Sequence, residues 1–188
     1  MKQNKVEKLL AGVLSISLAM GVNVMPAFAA QVQGPPYEDM SRVYLTKNYE
    51  LANTGTISPK ETFTFTIDPG TVTDASEGID AADYMPSVGD VSYAQGEAGS
   101  ANKTRQIEIQ LPKYDSVGVY TYIIHEVAGN SAGVTYYGDA ILLRVTVIEQ
   151  DGKLRIAAVH TEDPESTGEG KKDDFDNLYS AGELEVHK

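Results

Sequence analysis

The sequence predicts an all-β fold, an antiparallel β-sandwich. Three observations predict it. Short segments with apolar residues at every second position recur from residue 43 to residue 179. Gly, Pro and Asp punctuate the gaps between them, and no 3.6-residue periodicity emerges after residue 30. Period-2 runs separated by turn residues are the mark of half-buried strands, and many of them at close spacing mark a sandwich. The chain has 188 residues, 41% of them hydrophobic, which is one domain's length with enough apolar material for a core.

Taken in order, residues 1–29 precede that domain. Lys2, Lys5 and Lys8 form a positive start, Leu9 to Met25 is apolar, and Ala27-Phe28-Ala29 supplies small residues before Ala30. That order reads as a secretory signal peptide. Gly21, Asn23 and Pro26 interrupt the apolar stretch, which argues against a retained spanning helix of about 20 clean residues. The domain is expected over residues 30–182, opening on a stiff leader at Gly34-Pro35-Pro36.

The first strand places Val43, Leu45 and Lys47 on one face. The second does the same with Phe63, Phe65 and Ile67, against Thr62, Thr64 and Thr66. Residues 68–105, rich in Gly, Ala, Ser and Asp, read as a long surface excursion with one short helix near Ala81 and a weak strand at Val91-Ser92-Tyr93. Ile107, Ile109 and Leu111 mark the next strand; Tyr120, Tyr122 and Ile124 the one after. Ile141 to Ile148 is nearly continuous, β-branched apolar sequence and reads as a more fully buried strand. Asp151-Gly152 signals a two-residue hairpin into Leu154, Ile156 and Ala158. A polar loop from Thr161 to Asp174 leads to a last alternating set, Phe175, Asn177 and Tyr179. Leu184-Glu185-Val186-His187-Lys188 repeats the apolar-x-apolar-x-Lys pattern of residues 43–47, so residues 183–188 read as a linker or the start of a second, similar domain.

Composition excludes several functions. The net charge is −12. Cleavage before Ala30 would remove Lys2, Lys5, Lys8 and Glu7 and leave 12 basic and 26 acidic residues, a net charge of −14. Such a chain is a poor match for nucleic acid, and no membrane contact is expected beyond the signal peptide. There is no Cys, hence no disulfide, thiolate metal site or Cys nucleophile. No G-x-S-x-G, H-E-x-x-H or P-loop motif is present, and His125, His160 and His187 are scattered. The acidic run Asp173-Asp174-Asp176 lacks a calcium-loop pattern. No enzyme activity on an external substrate, no metal and no cofactor are expected.

Three polar residues fall on apolar faces. Lys47 shares a face with Val43 and Leu45, Glu126 with Tyr120, Tyr122 and Ile124, and Asn177 lies between Phe175 and Tyr179. Buried ammonium and carboxylate groups pair or become neutral, because desolvation disfavours the charged form. A neutral Lys amine is a nucleophile, a protonated Glu can polarise a carbonyl and shuttle protons, and an Asn side chain offers a carboxamide with ammonia as leaving group. Together the three could form a Lys–Asn isopeptide bond.

The order of these segments resembles a known family. Val43-Tyr44-Leu45-Thr46-Lys47, then Phe63-Thr64-Phe65-Thr66-Ile67 after Pro59, then the G-x-Y-x-Y…E run from Gly118 to Glu126, then Val134-Thr135-Tyr136-Tyr137, then the F-x-N-x-Y run from Phe175 to Tyr179 are similar to the isopeptide-linkage domain of Gram-positive major pilins, the streptococcal FctA-like backbone type. The resemblance spans roughly residues 40–180. It implies an Ig-like, CnaB-like sandwich with Lys47 as amine, Asn177 as acceptor and Glu126 as catalytic acid and base. It implies a secreted structural subunit of a cell-wall pilus, with other pilin subunits and sortase as partners and host surface proteins as further ones. Lys171 and Lys172, in the loop before the last strand, match the position of a sortase-linkage lysine. No LPxTG-type sorting signal is present, so the expectation is an N-terminal portion of a longer chain. The alternative role, an adhesin module, would use an exposed patch in the excursion, around Tyr84 and Tyr93.

Overall fold

The computed structural model describes residues 40–165 and 170–182. The signal-peptide reading of residues 1–29 and the reading of residues 183–188 fall outside them. The described residues form ten strands: β1 (Arg42–Leu51), β2 (Glu61–Thr73), β3 (Ser87–Val88), β4 (Val91–Tyr93), β5 (Thr104–Gln110), β6 (Gly118–Val127), β7 (Val134–Thr135), β8 (Ala140–Gln150), β9 (Lys153–Glu162) and β10 (Asp174–Tyr179). They form two five-stranded sheets, ordered β3-β5-β1-β10-β7 and β4-β2-β6-β8-β9. The chain is thus an all-β sandwich, as its alternation predicts.

Alternation decides which residues fill the space between the sheets. Leu45 and Tyr49 of β1, Ile107 and Ile109 of β5 and Phe175 of β10 meet Phe63 of β2, Tyr120, Tyr122 and Ile124 of β6 and Leu143 of β8, all buried. Strand β8 differs from the expectation. Ile141, Leu143, Val145 and Val147 are buried, but Leu142 is half-buried and Ile148 is 40% exposed. Among the described residues there are two layers, and none of these residues covers the outer face of β8.

Local chemistry shapes the connections. Asp151 and Gly152 have φ of 55° and 71°, the pair of left-handed conformations that a type I′ hairpin needs between β8 and β9. Strand β2 carries Pro69, which has no N–H for a ladder; its register against β6 shifts between Pro69 and Val72. Thr121 fastens that irregularity, its hydroxyl accepting from Thr71 N at 2.7 Å and donating to Thr71 O at 3.0 Å.

The excursion is more built than its composition suggests. A 3-10 helix at Ala81–Tyr84 is capped by Asp80, whose carboxylate accepts from Ala82 N at 2.9 Å. Ala81, Val91, Tyr93 and Ala98 are buried: the helix end of this segment packs near Tyr120 and the β4 end against Tyr49 and Phe63, so it lines both ends of the core and is not a surface appendage. Tyr93 is 1% exposed and Tyr84 stacks on Tyr114 with ring centroids 5.7 Å apart. These two tyrosines therefore pack inward and do not form an exposed patch.

One pairing is parallel. Strands β1 and β10 run side by side in the same direction, Lys47 opposite Phe175 and Tyr49 opposite Asn177. Parallel neighbours need long crossovers. Here everything between β1 and β10 is the crossover, passing through both sheets.

Candidate functional site

Strand β1 carries Lys47 inward, β6 carries Glu126 inward from the facing sheet, and β10 carries Asn177 inward beside β1. The structure brings all three together, with Lys47 0%, Asn177 1% and the Glu126 side chain 0% exposed. The contact between Lys47 and Asn177 is diagonal across the parallel ladder, because Asn177 lies two residues beyond the one opposite Lys47.

The polar contacts form a closed set. Lys47 Nζ donates to Asn177 Oδ1, to Phe175 O at 3.0 Å and to Asn48 O at 3.3 Å. Glu126 Oε2 lies 3.1 Å from Lys47 Nζ. That oxygen is otherwise uncompensated, which makes the contact an ion pair lacking aligned hydrogen-bond geometry. Asn177 Nδ2 donates to Glu126 Oε1, which also accepts from Tyr137 N at 3.2 Å. One carboxylate therefore touches both nitrogens, the amine with one oxygen and the amide with the other.

Burial pushes the Lys47 amine down from 10.5 to about 8, while the charges of Glu126 and Asp176 work in the opposite sense. Desolvation wins because the amine sits among aromatic rings. The Phe63 ring centroid is 4.3 Å from Nζ. Phe65 and Phe175 pack together at 5.1 Å, and Tyr137 meets Phe175 edge-on at 5.1 Å.

Several contributors have no signal in the sequence pattern. Tyr93 Oη lies 2.9 Å from the carbonyls of Lys47 and Lys103, so it holds the backbone that carries the amine. Tyr137 acts on Glu126 through a backbone N–H, which any residue possesses. Phe63 was legible only as a core position. The two candidate linkage lysines differ. Lys171 has a side chain 76% exposed and pairs with Asp173 at 2.5 Å, whereas Lys172 is 30% exposed and leans over the Tyr137 ring at 5.1 Å from its centroid.

The family model described as "FctA: Spy0128-like isopeptide containing domain" matches residues 43–180. A pilin of Streptococcus pyogenes serotype M1 is 24% identical over 146 residues, covering 76% of this chain and 43% of its own length. The crystal structure of the major pilin from Streptococcus pyogenes matches with a TM-score of 0.58 at 23% identity, covering 74% of this chain and 50% of that one. The T3.2 major pilin of serotype GAS13637 gives 0.62 at 18% identity, covering 76% and 54%. At these identities the structural likeness speaks to the fold. The chain spans about half the length of the relatives it matches.

Proposed function

Because the chain belongs to the Spy0128-like isopeptide-containing domain family, we propose that it is a structural subunit of a Gram-positive cell-surface pilus, stabilised by an autocatalytic bond between Lys47 and Asn177. The observation that carries this reading is the single buried carboxylate of Glu126 in contact with both the attacking and the leaving nitrogen.

The chemistry follows from those contacts. Glu126 Oε2 takes a proton from Nζ, leaving a neutral amine. The amine attacks Asn177 Cγ, and a new C–N bond forms as the bond from Cγ to Nδ2 breaks. Glu126 Oε1 delivers that proton to Nδ2, which departs as ammonia, and the carboxylate then takes the second proton that the attacking nitrogen must lose to become an amide, so Glu126 ends protonated. An ammonium and a carboxylate are costly to bury; the product replaces the ammonium with a neutral amide. The bond would join strands at the two ends of the domain, so tension entering at β1 and leaving at β10 would run through a covalent path. A shaft subunit needs that property, and a domain that turns over a substrate does not. On this reading the protein is secreted and wall-associated, its partners are other pilin subunits, sortase and host surface molecules, and the exposed Lys171 is the lysine offered for sortase linkage.

Intact mass tests the reading. The chain should weigh about 17 Da less than its composition requires, from loss of one ammonia. Lys47→Ala and Asn177→Ala should each restore the composition's mass. A native chain at that full mass would remove the cross-link from the account.

A pH effect follows for the unlinked chain. In Asn177→Ala the Lys47 amine stays free. Its folded pKa, about 8, lies below the ordinary 10.5. Between those values the unfolded chain holds a proton that the folded chain has released, so stability rises as pH rises through that window. The native, linked chain has no such amine. Melting curves by circular dichroism should show the deficit of Asn177→Ala narrowing from pH 8 towards 10.5. A deficit that stays constant or widens would contradict the buried amine.

A further inference from the structure

The connection between β6 and β8 is longer than its task requires. These strands are antiparallel neighbours in one sheet, and such neighbours are usually joined by roughly 2–5 residues. Residues 128–139 instead leave that sheet and cross to the other, where β7 pairs with β10, Thr135 opposite Leu178 and Val134 opposite Tyr179. The strap then returns to β8 and passes over the reacting residues. It is fixed at several points. Ser180 N donates to Gly133 O at 2.8 Å, and Ser131 N donates to the Tyr136 hydroxyl at 3.2 Å. Gly133 has φ of 81°, and a Cβ there would stand 2.5 Å from Ser180 O, so only glycine fits the close approach.

From the strap, Tyr137 reaches the site twice. Its N–H holds Glu126 Oε1 at 3.2 Å, and its ring covers Phe175, next but one to Asn177. Lys172 comes from the other side of the seam. Its backbone N–H donates to Thr161 O of β9 at 3.2 Å, and its ammonium stands 5.1 Å from the centroid of the Tyr137 ring. A cation over an aromatic face is attractive, more so where water is excluded.

We infer that Tyr137, clamped by Lys172, is a positioning residue for the bond between Lys47 and Asn177, and that Lys172 serves this clamp and not polymerisation. The inference rests on the cross-linking reading given above. Without the clamp, the Tyr137 N–H drifts from Glu126, the carboxylate loses the orientation that puts its two oxygens on two nitrogens, and water enters beside Lys47. The electrostatics of Lys172 point the same way: the Tyr137 side chain raises its pKa, with burial opposing and Asp174 and Asp176 adding to the rise.

The test follows the rate of ammonia loss in the full chain after a short pulse of cell-free synthesis, quenched in denaturant and read by intact mass. Lys172→Met and Tyr137→Ala are expected to slow the loss roughly tenfold or more, since small displacements of reacting groups carry costs of that size. Lys172→Arg, which keeps a cation over the ring, is expected to restore the native rate, and Lys171→Met to leave it unchanged. Fully reacted Lys172→Met should melt with the native chain, which separates positioning from a general structural role. Lys172→Met and Tyr137→Ala reacting as fast as the native chain would overturn the inference and leave the cross-link intact. Lys172→Arg as slow as Lys172→Met would overturn the role of the cation. A native chain that never loses ammonia would overturn the cross-linking reading itself, and the clamp with it.

Discussion

The Asn177→Ala chain is expected to melt about 20 °C below the native chain. A cross-link from Lys47 to Asn177 closes a span of 130 residues, and the loop-entropy model used for disulfides gives about 5 kcal/mol for a closure of that length. In a domain of this size each kcal/mol is worth about 4 °C. The variant isolates the covalent term well. Removing the carboxamide leaves the Lys47–Glu126 ion pair, 3.1 Å apart, with its two charges still compensating each other. The amine also keeps the carbonyl of Phe175. What is lost besides the bond is the hydrogen bonding of the amide that replaces the two side chains, about 1 kcal/mol. Thermal unfolding followed by circular dichroism measures the difference. A shift of only a few degrees would mean that the two strands contribute no covalent closure.

Glu126→Ala is expected to fold and to remain unlinked, its bond formation slowed by about 10²- to 10⁴-fold, the usual range for loss of a positioned acid or base. The expectation does not rest on losing the nucleophile. Removing the carboxylate takes away the charge that raises the Lys47 pKa and leaves burial, which lowers it, unopposed at close range. The amine would be more neutral than before. What disappears is the group that accepts its proton and hands one to Nδ2. Glu126→Gln sharpens the point, because it keeps the shape and a hydrogen-bond acceptor for the amide but cannot carry a proton. Mass spectra taken over hours after synthesis would follow both variants. Either one reacting at the native rate would show that proton transfer runs elsewhere.

Much of this arrangement was legible from alternation alone. A polar residue in step with apolar ones on a strand is conspicuous, and Lys47, Glu126 and Asn177 each are. The structure places their side chains in contact. Other features were not legible, for definable reasons. Alternation is indifferent to strand direction, so the parallel pairing of β1 with β10 left no trace. The apolar run from Ile141 to Ile148 suggested a more fully buried strand, because hydrophobicity does not reveal that the second face is left uncovered by the described residues. The excursion buries Ala81 and Ala98, residues too small to stand out in a stretch rich in Ala and Gly. Tyr93 supports the site through the backbone carbonyls of Lys47 and Lys103, and Tyr137 through its own N–H, and such contacts depend on where the chain returns.

The register between β1 and β10 gives the proposed bond a second meaning, as proofreading. These strands are the first and last of the described fold, so β10 docks only after the chain between them has been made, and closing so long a loop is slow. A slip of one residue in β10 would turn Asn177 to the outer face and bring Asp176 or Leu178 inward. Leu178 has no acyl group and cannot stand in for Asn177, and the Asp176 carboxylate would first have to take up a proton and then shed water in place of ammonia. Misregistered chains would stay unlinked and free to unzip and try again. A correctly paired chain would be sealed within its own lifetime in that state. Bond formation would then be a selection step, converting a reversible choice of register into a permanent one.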